Sequence, residues 1–184
     1  MKSRGLIKVL LLFLVAFILI NSINIAKLFY PLKYFDYITK YSNENELDPY
    51  FVAAVIKTES NFNIKARSSK DAYGLMQITP STAEWAAKEM KIENYSLEML
   101  KDPEFNIKMG CWYINNLKNE FENNMDLVLA AYNGGRGNVR KWLSSSEHSK
   151  DGKSLHYIPF KETDKYVKKV NVNYNIYKKL YENK

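Results

Sequence analysis

The chain has 184 residues, enough for one domain plus an extension, and its hydrophobic content of 46% with 14% aromatics excludes a disordered polymer. The net charge of +7 is partly local: Lys2, Arg4, Lys8 and Lys27 precede the first acid, Asp36, and from Leu28 onward 23 basic residues face 20 acids. Charge alone therefore does not support a nucleic-acid partner, and none is expected.

The N-terminus reads as an export segment. Met1 to Gly5 is short and basic, and Val9 to Ile20 is an unbroken apolar run. Extended to Ala26, the run covers 18 uncharged residues, borderline for crossing a bilayer, and the basic leading end favours an N-in, C-out orientation. Asn24-Ile25-Ala26 is a poor cleavage site. The expectation is a signal anchor over residues 1–27, with a cleaved signal peptide and a secreted product as the alternative.

Residues 28–46 form a lead-in, with Tyr34, Phe35, Tyr37, Ile38 and Tyr41 predicting a first helix over the core. A main domain over residues 47–184 follows. Three helix starts are marked by a capping side chain before a proline: Asp48-Pro49, Thr79-Pro80 and Asp102-Pro103. In the first of these helices Val52, Val55 and Ile56 share a face, and Glu59 continues it. A carboxyl on an apolar wall is costly to ionise, so its pKa moves toward the range of a general acid. The bland alternative is a boundary glutamate turned to water.

After Asp102-Pro103 a stripe of Phe105, Met109 and Trp112, beside Gly110, Tyr113, Leu117 and Phe121, predicts a helix with a wide buried face. Cys111 lies within it. As the only cysteine it excludes a disulfide framework and a thiolate metal cluster, and it reads as a packed structural thiol. Asp126 is the expected cap of a short helix from Leu127 to Tyr132, closed by Asn133-Gly134-Gly135. Ser144 to Gly152 is polar and loop-like. The only histidines, His148 and His156, lack a ligand spacing, so no metal site is expected. Thr163 is the expected cap of a last helix carrying Val167, Val170, Tyr174, Tyr177 and Tyr181. No segment has the period-two pattern of a sheet, and the predicted class is all-α or nearly so.

Four segments, in order, resemble the lytic transglycosylase domain of the soluble lytic murein transglycosylase family, a goose-type lysozyme-like fold. They are Glu59-Ser60-Asn61-Phe62; Gly74-Leu75-Met76-Gln77-Ile78 with Pro80, Thr82 and Ala83; Ala131-Tyr132-Asn133-Gly134-Gly135 with Gly137 and Val139; and Ile158-Pro159-Phe160 with Glu162-Thr163 and Tyr166-Val167. Asn106, Gly110, Tyr113 and Leu117 resemble the family's structural helix. The resemblance covers residues 47–181. It implies a cofactor-free, monomeric catalytic domain acting on peptidoglycan glycan strands, cleaving the β-1,4 bond between N-acetylmuramic acid and N-acetylglucosamine with formation of 1,6-anhydro ends.

The resemblance makes Glu59 the sole catalytic acid and base. It implies that Ser60 hydrogen-bonds substrate, that Gln77 hydrogen-bonds near the acid, that Met76 packs against sugar faces, and that Tyr132, Asn133 and Tyr166 surround the acid and the saccharide. On pattern alone Leu75, Met76 and Ile78 read as core, Ser60 as a helix cap, Asn133 equally as a C-cap or a ligand group, and Tyr166 as an ordinary helix tyrosine. Two rival readings follow: a hydrolysing muramidase on the same fold, with Asp71 or Glu162 supplying a second carboxylate, and an idle wall-binding module. Asp71 itself reads as a solvated turn residue and Glu162 as a helix-start residue.

Overall fold

The computed structural model describes residues 2–182. Met1 of the leading basic segment, and residues 183–184 of the expected main domain, lie outside the described residues. The elements are α1 (Lys2–Phe29), α2 (Phe35–Glu44), α3 (Pro49–Glu59), α4 (Pro80–Glu89), a 3₁₀ turn (Leu97–Lys101), α5 (Pro103–Glu120), α6 (Met125–Gly134), α7 (Arg136–Leu143) and α8 (Lys161–Tyr181). Among the described residues the only extended pairings are isolated bridges from Tyr73 to Arg67 and to Ile78. The fold is all-α, as the missing period-two pattern predicts.

The three proline-marked starts form by one mechanism. Asp48, Thr79 and Asp102 accept from the backbone N–H groups of Tyr50, Thr82 and Phe105, and the following proline takes a position whose N–H would have no partner. Two expected caps are displaced. Asn124, not Asp126, caps α6, because its side chain reaches the Leu127 N–H, leaving Asp126 in the first turn. The last helix starts at Lys161, and Thr163 turns inward to donate to Asn133 Oδ1 at 2.9 Å. The helix α7 and the 3₁₀ turn were not expected. In α7 only Val139 and Trp142 are buried, which leaves too little apolar periodicity to read.

Helix α3 is the centre of the body. Every residue from Phe51 to Ile56 is buried, so it is apolar all round and needs neighbours on every side. It lies along α8 and against α2; α5 packs on α2, α4 and α6; α6 packs on α7 and α8. Because this buried stretch is held from all directions, the end of the helix, where Glu59 stands, is held as well.

Helix α1 stands apart from this core. Leu10, Leu12, Phe13, Phe17 and Ile20 are all exposed. Among the described residues no single helix is long and apolar enough to cross a membrane; two consecutive stretches, Leu10–Ile18 and Ile20–Phe29, meet that test together with a bend of 60° between them. The end of α1 is tied to the body. Tyr181 donates to Tyr30 O at 2.8 Å, Tyr177 to Pro31 O at 3.2 Å and Lys57 to Phe29 O at 2.6 Å.

Candidate active site

Glu59 ends α3, and the chain reverses immediately after it. Asn61 and Phe62 both adopt left-handed backbone conformations, φ 52° and 61°, and Phe62 dives into the core. Such conformations are unfavourable for a bulky residue and persist where packing demands them. Ser60 stitches this reversal to the next motif, donating to Leu75 O at 2.8 Å.

That motif is a four-residue loop, Gly74 to Gln77, closed by Tyr73 and Ile78, whose backbones exchange hydrogen bonds of 3.0 and 3.1 Å. Gly74 has φ +73°, and a Cβ there would lie 2.4 Å from Asn106 Nδ2, so only glycine fits. Asn106, buried on α5, holds the loop from below. Its Oδ1 accepts from Met76 N at 2.8 Å, and its Nδ2 donates to Tyr73 O and Leu100 O at 3.0 and 2.9 Å. Gln77, at φ 50°, donates through Nε2 to Gly74 O and Ala66 O.

Glu59, Ser60 and Gln77 line one open groove of about 640 Å³. Among the described residues Glu59 is the only carboxylate in that lining. It is half-buried, and its pKa is raised to about 7. Burial is the main cause; the Tyr166 hydroxyl and the charge of Lys169 pull in the opposite direction. At pH 7 roughly half the molecules hold the proton, which places the group between acid and base.

Two tyrosines back this carboxyl. Tyr166, from α8, is buried; its hydroxyl interacts with Glu59 yet completes no hydrogen bond of good geometry with any protein atom. Tyr132, from α6, donates to Met76 O at 2.7 Å. Burial, reinforced by the nearby Glu59 charge, pushes both phenols well above their ordinary pKa, so both remain neutral donors. Three distant helix ends thus meet at one carboxyl.

Two expected residues sit elsewhere. Met76 is fully buried, its sulfur packed where a Cβ on Gly110 would stand, so it meets the site through its backbone carbonyl and not through a sugar-facing side chain. Asn133 lines a neighbouring cavity with Phe160 and Glu162, and its Oδ1 is engaged by Thr163. Neither proposed second carboxylate reaches the groove: Asp71 is exposed and paired with Arg67 at 2.9 Å, and Glu162 belongs to the neighbouring cavity. Sequence reasoning missed the cations of the groove, Lys57, Lys65, Arg67 and Lys169. Lys169 follows Tyr166 by three positions, a spacing that places both on one face of α8.

Cys111 is buried and its thiol is pushed up to about 12, mainly by that burial, which fits packing and not reactivity. Among the described residues no group of three His, Cys, Asp or Glu side chains is placed to hold a metal ion.

Comparison with known proteins settles the family. The profile described as the transglycosylase SLT domain matches residues 36–155. The chain belongs to the transglycosylase SLT domain family. Among curated SLT relatives, the soluble lytic murein transglycosylase of Escherichia coli K12 is 40% identical over 143 residues, covering 77% of this chain and 22% of the relative. The membrane-bound lytic murein transglycosylase C of Edwardsiella ictaluri is 30% identical, covering 80% of this chain and 47% of the relative. Among solved structures, the 70-kDa soluble lytic transglycosylase in complex with bulgecin A superposes with a TM-score of 0.74 at 35% identity, covering 84% of this chain and 25% of that one. An inactive Glu-to-Gln mutant of the lytic transglycosylase Slt from Pseudomonas aeruginosa gives a TM-score of 0.72 at 31% identity, covering 82% and 24%. The chain therefore spans about a quarter of those soluble SLT proteins, or less, and the shared part is the helical domain that carries Glu59.

Proposed function

We propose that this chain is a peptidoglycan lytic transglycosylase in which Glu59 works alone as acid and base. The observation that carries the reading is one carboxyl with a pKa near 7 in a groove that no other carboxylate lines among the described residues. Hydrolysing glycosidases use two carboxylates flanking the bond, one to protonate the leaving oxygen and one to activate water or attack carbon. Here the second partner comes from the substrate. Protonated Glu59 gives its proton to the glycosidic oxygen between N-acetylmuramic acid and N-acetylglucosamine, and the bond from muramic C1 breaks. The 6-hydroxyl of the same muramic ring then bonds to C1 and returns its proton to Glu59. One bond forms, one breaks, no water is consumed, and intramolecular geometry supplies the nucleophile.

In this reading Tyr166 and Tyr132 offer neutral hydroxyl surroundings to a carboxyl that changes charge during turnover, while Ser60, Met76 and Asn133 hold the loops that shape the groove. Gln77 spends its amide N–H groups on two backbone carbonyls, which orients its amide oxygen for substrate. The relatives support the activity, since their names are those of lytic murein transglycosylases and one of them is inactive as a Glu-to-Gln mutant. We further propose that α1 enters a membrane and leaves the domain outside it, either retained as an anchor or removed on export. An exposed apolar helix and a membrane-bound relative favour this.

Digestion of purified peptidoglycan should release muropeptides with 1,6-anhydro-muramic ends, lighter by one water than hydrolytic products. Mass spectrometry reads this directly, and a majority of reducing muramic ends would replace the proposal with a muramidase.

Tyr166→Phe should separate catalysis from folding. Its hydroxyl is buried without a good partner, so removing it leaves thermal stability unchanged or slightly improved. Turnover should fall about tenfold, because the hydroxyl interacts with a carboxyl that changes charge during the reaction. Because the hydroxyl holds the Glu59 pKa down, the midpoint of the alkaline limb should also move upward. An unaltered pH profile would make Tyr166 a packing residue.

A further inference from the structure

The end of the exposed apolar helix is tied to the Glu59 end of α3. Lys57 and Thr58, the two residues before Glu59 in the groove lining, are each linked to the last residue of α1 or to the first beyond it. Lys57 donates to Phe29 O, and its ammonium lies over the Tyr30 ring. The Tyr30 hydroxyl donates to Asn173 Oδ1 at 3.3 Å, and Asn173 Nδ2 donates to Thr58 Oγ1 at 2.9 Å. From α8, Tyr181 and Tyr177 donate to the carbonyls of Tyr30 and Pro31. Four hydrogen bonds thus hold three consecutive residues, Phe29 to Pro31, which makes this connection a mount and not a swinging tether. The same residues have the composition of a membrane–water boundary. Leu28 and Phe29 are exposed at the end of the apolar run, with Tyr30, Tyr177 and Tyr181 beside them. Lys27 lies over the Tyr181 ring, and Lys33 and Lys179 are exposed close by in the chain. Tyrosine rings and long cationic side chains settle at the level of lipid headgroups.

We propose that this junction mounts the domain rigidly on a bilayer, with the Glu59 end of α3 held at the headgroups, so that the chain cuts glycan strands tethered by a lipid in the same membrane. This rests on the two readings above, that α1 enters a membrane and that the groove is a transglycosylase's. A disordered linker of about 20 residues would let the groove roam roughly 25 Å from the surface. Here the groove begins one hydrogen bond from the end of the apolar helix, so a strand held away from the surface stays out of reach.

The test uses the full chain in vesicles of phosphatidylcholine and phosphatidylglycerol, some carrying a nitroxide on the headgroup. A fluorophore is attached through Lys65→Cys, in the groove lining, or through Glu89→Cys, on α4; buried Cys111 does not compete for the label. The nitroxide should quench the Lys65 label strongly and the Glu89 label weakly. Insertion of about 20 glycine and serine residues between Ala26 and Lys27 leaves every bond named above in place and should remove most of that quenching. Equal quenching at the two sites, or quenching unchanged by the insertion, overturns the mount. The substrate is then offered in two forms, strands held by a lipid in the same vesicles and identical strands fixed to beads. The uninterrupted chain should release 1,6-anhydro ends from the lipid-held strands at least about tenfold faster, since only they share its surface, and the insertion should narrow the gap. Equal rates on both forms overturn the substrate assignment. A chain that fails to float with the vesicles overturns the membrane reading and the mount with it. Release of 1,6-anhydro ends from free strands in detergent is scored separately, so a failed mount and a failed transglycosylase reading give different results.

Discussion

Glu59→Gln should abolish turnover and make the domain more stable at the same time. The amide keeps the volume of the carboxyl but can neither give nor take the catalytic proton. General acid-base assistance contributes about 10²–10⁴-fold in rate, and one group doing both jobs belongs at the upper end, so the loss should exceed about 10³-fold. The stability gain follows from the raised pKa. Below an unfolded value of 4.5 the carboxyl is neutral in both states and contributes nothing. As pH rises past 4.5 the unfolded chain ionises first, and folding stability falls until the native carboxyl ionises near 7. Above pH 7 the deficit is constant, at most about 3 kcal/mol for this shift and about 1–2 kcal/mol for a carboxyl still partly open to water. Thermal melts of the two proteins should coincide near pH 4 and separate by pH 8 with the variant higher. Retained turnover in a folded variant would place the acid elsewhere. Coincident melts at pH 8 would show that the carboxyl is well solvated.

The parts of this molecule that were legible beforehand are local ones. An aspartate or threonine before a proline starts a helix because the cap and the missing N–H act within one turn, and Asp48, Thr79 and Asp102 behave as their neighbours dictate. Glu59 was legible because the helix before it is continuously apolar. Where two capping residues lie close together, as with Asn124 and Asp126, the choice depends on which side chain reaches an orphan N–H, and composition does not reveal that. Pattern alone put Met76 in the core, where its sulfur fills the niche left by Gly110; the sugar-facing role came from the resemblance. Lys57 and Lys169 carry no distinguishing signal in the sequence; only the packing of α3 along α8 brings them to one groove. The carboxyl at the end of α3 was visible in one dimension, and its electrostatic surroundings were not.

Asn106→Leu should be the most destabilising change close to the site, although Asn106 touches no groove residue through an exposed atom. It is buried, and its three hydrogen bonds tie α5 to Tyr73, Met76 and Leu100. Leucine matches the shape but deprives the Met76 N–H and the Leu100 carbonyl of their side-chain partner in the interior, while the Tyr73 carbonyl keeps the Ile78 N–H. Each such group costs about 1–3 kcal/mol, and partial relaxation of the loop puts the total near 3–5 kcal/mol. For a domain of this size that corresponds to a fall in Tm of about 10 °C. The damage should also reach catalysis at temperatures where the variant is folded. The loop it anchors presents Met76 O to Tyr132 and Leu75 O to Ser60, so a loosened loop frees a phenol behind Glu59 and the stitch beside it. A folded variant should therefore show kcat reduced about tenfold or more, since a misplacement of about 1 Å at a reacting site can cost 10²-fold. Melting curves and turnover at 15 °C test both halves. A Tm within about 2 °C of wild type would mean that water replaces the lost partners, and normal turnover would mean that the Gly74 to Gln77 loop holds its shape without Asn106.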